Sequence, residues 1–180
     1  MFRALSLVAA CMILSSAALA QQPAAPPAPP APPPAGGTPD AIPFDIPYGM
    51  PVTLDQAKAA AAAAAAEARK GARTWKMNIA VVDPAGELVY FEKMDGAQNT
   101  WTIAVGKART AARFRRDTRV FYNAFETGHP YVATLDPTLV AAVGGSPLIA
   151  GGKVIGGIGC AGGTGDQDGA TCKAGADAIK

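Results

Sequence analysis

Residues 147–168 read "PLIAGGKVIGGIGCAGGTGDQD", and this stretch decides between two architectures. Six glycines fall within residues 156–165, just ahead of two carboxylates, Asp166 and Asp168. A dinucleotide fingerprint would need such glycines between a parallel strand and a helix, with an acidic residue about 20 positions on. Here Gly151-Gly152 separates two apolar, β-rich runs, so the strand before the glycines closes an antiparallel hairpin. No Gly-Lys-Ser/Thr follows, which excludes a P-loop. A glycine-lined strand end remains, leading into a terminal helix that starts near Gly165. Two readings stay open for its turn. In one, the glycines serve close packing while Thr164, Asp166 and Asp168 cap the helix and answer its dipole. In the other, Gly163 and Thr164 edge a pocket where backbone N–H groups hold an anion.

The same hairpin logic holds upstream. "MNIAVVD" (77–83) and "LVYFEKMD" (88–95) are β-rich runs joined by Pro84, Ala85, Gly86 and Glu87. Thr53 and Gln56 form a capping-box pair ahead of eight consecutive alanines, 59–66, which predicts a helix ended by Gly71. Lys58, Glu67, Arg69 and Lys70 exclude a membrane span there. Ile103, Lys107, Ala111 and Phe114 give helical spacing to residues 99–118, with Asn99 or Thr100 as cap. Residues 118–139 predict a short helix plus loop, and a further strand is expected near 138–143. The order α-β-β-α-(α)-β-β-β-α, built on hairpins, predicts a single α+β domain with an antiparallel sheet flanked by helices.

That domain is expected over 51–180. Residues 1–20 carry Arg3, an apolar run and Ala18-Leu19-Ala20, which predicts a signal peptide and an exported chain, periplasmic or secreted. Val8-Ala9-Ala10-Cys11 resembles a lipobox but has almost no apolar run before it. Residues 21–50, rich in Pro and Ala, predict an extended linker. A formal net charge of +2 gives no reason to expect a nucleic-acid partner, and no membrane span is expected in the mature chain. Cys160 and Cys172 can form a disulfide in an exported chain or stay as buried thiols.

Lys107, Arg109, Arg113, Arg115, Arg116 and Arg119 make a basic helix. Arg109 and Arg113 lie one turn apart and can clamp a carboxylate or phosphate. The competing reading is a solvated or subunit-interface face paired with Glu87, Glu92 and Asp95. His129 is the only histidine, in a loop beside Pro130. No catalytic residue can be assigned, and the sequence leaves any metal unspecified.

Four blocks together, "NIAVVDPAGELVYFEKMDGA", "KARTAARF", "GGSPLIAGGKVIGGIGCAGGTGDQD" and "CKAGADA", resemble the GlcG/HbpS-type haem-binding family over residues 52–180. The resemblance implies a profilin-like α+β domain, homo-oligomers and haem as cofactor. The expected function is an exported haem carrier or a redox- or haem-sensing accessory. His129 and Tyr131 are residue types that ligate haem iron, as are Tyr122 and the methionines. Arg109 and Arg113 are available for propionates. The alternative is a small-molecule enzyme or accessory protein acting on a hydroxy or oxo acid, its site combining Arg109 or Arg113 with the 162–166 turn.

Overall fold

Ile79, Ala80, Val81 and Val82 can run as an unbroken apolar strand because helices cover both faces of the sheet. The computed structural model describes residues 45–180. The signal peptide and most of the linker expected from the sequence lie outside the described residues. Strand β1 (Asn78–Val82) is buried at all five positions. It pairs antiparallel with β2 (Leu88–Lys93) and with β4 (Lys153–Ala161), and β4 pairs with β3 (Gly145–Ala150). The sheet order is β2-β1-β4-β3. Both hairpins and the α+β architecture are therefore those expected from the sequence.

Alternation sorts the side chains of β1. Ile79 and Val81 point into a core with Met77, Leu148 and Ile158, covered by α1 (Leu54–Arg69) and α4 (Gly165–Asp177). Ala80 and Val82 meet Ala104, Val105, Ala108 and Ala112 of α2 (Trp101–Phe114) on the other face. The alanine run of α1 buries Ala57, Ala60, Ala61, Ala64, Ala65 and Ala68, which lets its backbone lie close to its neighbours. A Cβ added at Gly175 of α4 would sit 2.8 Å from the Ala60 carbonyl oxygen. The capping box of Thr53 and Gln56 is present, as is a matching one of Thr164 and Gln167 on α4.

Four details depart from the sequence reading. Helix α1 ends at Arg69, with Lys70 as its cap in right-handed helical conformation, so Gly71 is not the cap. Thr100 stands at the cap position of α2, but its hydroxyl donates to the Ala161 carbonyl (3.1 Å) and accepts no hydrogen bond from the first amides of the helix. Residues 138–143 form no strand. The Val140 amide donates to Thr110 Oγ1 (3.0 Å) and its side chain packs at Gly106, so this segment lies along α2. Finally, the domain starts before Pro51: the Gly49 amide donates to the Val154 carbonyl, and the Val154 amide donates to the Pro47 carbonyl (both 2.9 Å). The 118–139 region holds α3 (Arg119–Glu126), the short helix expected there, and the expected loop contains a 3-10 turn, Pro130–Thr134.

Cys160 of β4 and Cys172 of α4 form a disulfide across 5.6 Å between Cα atoms, both fully buried. This settles the alternative left open by the sequence. The opposite face of β4 is bare: a Cβ at Gly159 would sit 2.0 Å from the Ala104 carbonyl oxygen, and one at Gly157 would sit 2.4 Å from that of Ala108. Both obstacles are backbone, so nothing can swing aside. Gly159→Ala is expected to destabilise the fold by about 3 kcal/mol through overpacking. Denaturant titration reads this as a lowered midpoint; an unchanged midpoint would show that α2 is not seated on β4 this closely.

Candidate functional site

Lys107 projects from the same face of α2 as Ala104, Ala108 and Ala111, a face that β4 buries. Its side chain is only 4% exposed, and its partner Asp168 is 6% exposed. Lys107 Nζ donates to Asp168 Oδ2 (2.7 Å) and to the Cys160 carbonyl (3.0 Å). The second carboxylate oxygen of Asp168 accepts from the Gly163 amide at 2.9 Å. One buried pair thus joins α2, the end of β4, the β4–α4 turn and the first turn of α4. Two charges withdrawn from water are costly, and these are compensated by each other and by backbone dipoles.

This pair forms the floor of a cleft of about 460 Å³. Ala142 and Val143 make one wall, Thr164, Gly165 and Asp166 another, and Arg119 and Tyr122 of α3 complete it. Arg119 is held at its rim by Asp166 (3.0 Å), whose side chain is 88% exposed. Such a solvated pair contributes little and can be exchanged for another anion. Tyr122 is partly exposed. The cleft therefore combines an apolar wall, a phenol, a guanidinium and a helix N-terminus. No group of three or more His, Cys, Asp or Glu side chains able to hold a metal ion occurs among the described residues. No described helix is long and apolar enough to cross a membrane.

The residues singled out in the sequence fall into three separate places. Arg109 Nε donates to the Gly86 carbonyl (2.8 Å), and Arg113 donates to the Ala85 carbonyl and to Asp136, so both grip the β1–β2 turn. The Thr138 hydroxyl and amide, then Arg113, hold the Asp136 carboxyl below its ordinary range. Gly163 and Thr164 sit at the opposite end of the sheet, beyond Ala161, the partner of Asn78, whereas Gly157 pairs with Val82 near the arginines. The arginines and the 162–166 turn are thus not brought together, and the oxo-acid pocket expected from them is not assembled. His129 and Tyr131 are neighbours, ring centroids 6.2 Å apart, and both are exposed on the segment after α3.

The expected pairing of the basic helix with Glu87, Glu92 and Asp95 is also replaced. Among the described residues, Lys107 pairs with Asp168, Arg113 with Asp136 and Arg119 with Asp166, while Glu92 lies 3.9 Å from Arg69 of α1. The signal for Lys107 was present in the sequence: it shares a helical stripe with Ile103, Ala111 and Phe114, an unusual place for a solvated cation. Lys107→Met is expected to cost about 3–5 kcal/mol, because it strands the Asp168 carboxylate in the interior. Adding Asp168→Leu should recover part of that loss in denaturant titrations. A single variant as stable as the parent would contradict the burial of the pair.

Comparisons with known proteins bear on this geometry. The family described as haem degrading protein HbpS-like matches residues 52–177. GlcG of Escherichia coli strain K12 is 36% identical over 86 residues, 47% of this chain and 63% of GlcG, so the aligned segment spans less than two thirds of that relative. An HbpS variant from Streptomyces reticuli superposes with a TM-score of 0.66 and 30% identity, covering 82% of this chain and 99% of HbpS. The PduOC:heme complex superposes with a TM-score of 0.65 at 23% identity over 73% of this chain and 96% of that one, a likeness of fold. Matched by the family's model over most of its length and superposing on HbpS, the chain belongs to the HbpS-like family.

Proposed function

We propose that the protein is an exported haem-binding protein, a carrier or a redox- or haem-sensing accessory, and that haem occupies the cleft between α2, α3 and the start of α4. The juxtaposition of an apolar wall with a loosely held guanidinium carries this reading. Haem is a flat apolar ring bearing two carboxylates, and it needs both chemistries within one site. Val143 and the Tyr122 ring offer contact for the macrocycle, and Arg119 is the cation suited to a propionate. The Tyr122 phenol belongs to a residue type that ligates haem iron. The residues present therefore fit the group. Arg109 and Arg113 do not serve it, because the β1–β2 turn and Asp136 already occupy them.

Membership in a family described as haem-degrading supports the reading, as does a fold shared with PduOC, whose structure is that of a haem complex. Bound haem would supply redox and oxygen chemistry; the chain's own residues would orient it and limit water at one face. Homo-oligomer assembly belongs to the same proposal. Val120, Phe125, Tyr131 and Leu135 lie exposed along one short stretch, and exposed apolar area of this kind marks contact surfaces.

Titration with haemin is expected to give a saturable shift of the Soret band. Arg119→Ala should weaken binding about tenfold, and Tyr122→Phe should change the spectrum of the complex. No shift at micromolar haem would overturn haem binding. A spectrum altered by His129→Ala but not by Tyr122→Phe would move the ligand to the segment after α3 and overturn the assignment to this cleft.

A further inference from the structure

A second concave site lies on the other side of the β4–α4 turn and shares no lining residue with the first. It encloses about 350 Å³ between the segment joining α1 to β1, the segment joining β2 to α2, and the turn itself. Arg73 and Lys76 reach it from the first segment. Among the described residues, neither has an ion-pair partner, in contrast to Lys107, Arg113 and Arg119. No carboxylate lines the cleft. Asp95 is a neighbour in sequence but is exposed outside the lining, and Asp168 is buried behind Gly163 and committed to Lys107. Two cations thus converge on a hollow with nothing in it to neutralise them.

The other groups there are donors and a flat wall. The Gln167 carbonyl oxygen accepts from the Thr164 amide (3.0 Å), which leaves its NH₂ as the free end of that side chain. Trp75 is half-buried, packed on one side against the α1–α4 core, with its remaining surface lining the cleft. Glycines make the space. A Cβ at Gly96, where φ is +73°, would sit 2.9 Å from Lys76 Nζ and displace it, and one at Gly163 would meet Gln167 Oε1 at 2.5 Å. The walls are tied together from behind: Asn78 Nδ2 donates to the Gln98 carbonyl (2.8 Å), to Thr100 Oγ1 (2.9 Å) and to the Ala161 carbonyl (3.3 Å). The site is held open by the fold itself.

We propose that this cleft binds a small organic oxyanion, a carboxylate or phosphate carried on a flat body that covers the Trp75 indole. Arg73 supplies a planar fork for two oxygens and Lys76 a mobile point charge. The indole gives the body of the ligand a desolvated face. This site is independent of the haem reading, since no residue is common to both clefts.

The chain has two tryptophans, Trp75 and Trp101, so Trp101→Phe leaves Trp75 as the sole indole reporter. Phenyl phosphate and benzoate are titrated into that protein at low salt, with benzyl alcohol as the neutral control. The expected result is a saturable change in Trp75 emission, with a dissociation constant of about 1 mM or tighter for at least one anion. Arg73→Ala combined with Lys76→Ala should weaken it at least about tenfold. Both side chains are exposed, so the unfolding midpoint and the haemin titration should stay unchanged. The stronger of the two anions identifies the head group. No saturable response up to about 10 mM, an equal response to benzyl alcohol, or an equal response in the double variant would overturn the proposal.

Discussion

The close seat of α2 on β4 is the constraint on which the rest of the structure depends. Gly157 and Gly159 expose strand backbone directly to the Ala104, Ala108 and Ala112 stripe of the helix. Small residues on both sides bring the two backbones nearer than ordinary side chains permit. That nearness sets the height of α2 over the sheet. It lets the Lys107 side chain reach the end of β4 and the first turn of α4, where its ammonium finds the Cys160 carbonyl and Asp168.

From that point the β4–α4 turn is fixed from two sides. On one face of the sheet the Lys107–Asp168 pair holds it; on the other the Cys160–Cys172 disulfide ties the same strand to the same helix. A turn restrained in this way is a rigid partition. Its α2–α3 side presents Thr164, Gly165 and Asp166 to the larger cleft, and its other side presents Gly162 and Gly163 to the smaller one. The glycines therefore serve packing first, and binding only through the surfaces that packing leaves behind.

Much of this was legible in the residues. Gly151-Gly152 and the 84–87 turn fixed two antiparallel hairpins, and Thr53 and Thr164 marked two helix starts that carry complete capping boxes. Local chemistry was enough for these, because each depends on neighbours in sequence. The site was less legible because its members meet across long separations. Lys107 and Asp168 lie 61 residues apart, and Arg119 and Asp166 lie 47 apart. Arg109 and Arg113 looked free as a spaced pair, yet the backbone of a turn more than twenty residues away accepts from the Nε–H of each. The apolar run at 138–143 read as a strand, but Thr110 and Gly106 of α2 offered it a better surface than the sheet edge. Tyr122 stood out only as one ligand type among several until α3 was placed beside Val143.

Haem is proposed to sit against the partition, between α2, α3 and the start of α4. Backbone amide spectra recorded with and without a diamagnetic porphyrin, such as zinc protoporphyrin, test it most directly. Haem in this cleft would shift the amides of Arg119, Tyr122, Val143, Gly165 and Asp166, with Arg109, Arg113 and the 84–87 turn unmoved. Shifts confined to the β1–β2 turn, or to His129 and Tyr131 with the cleft unchanged, would contradict it.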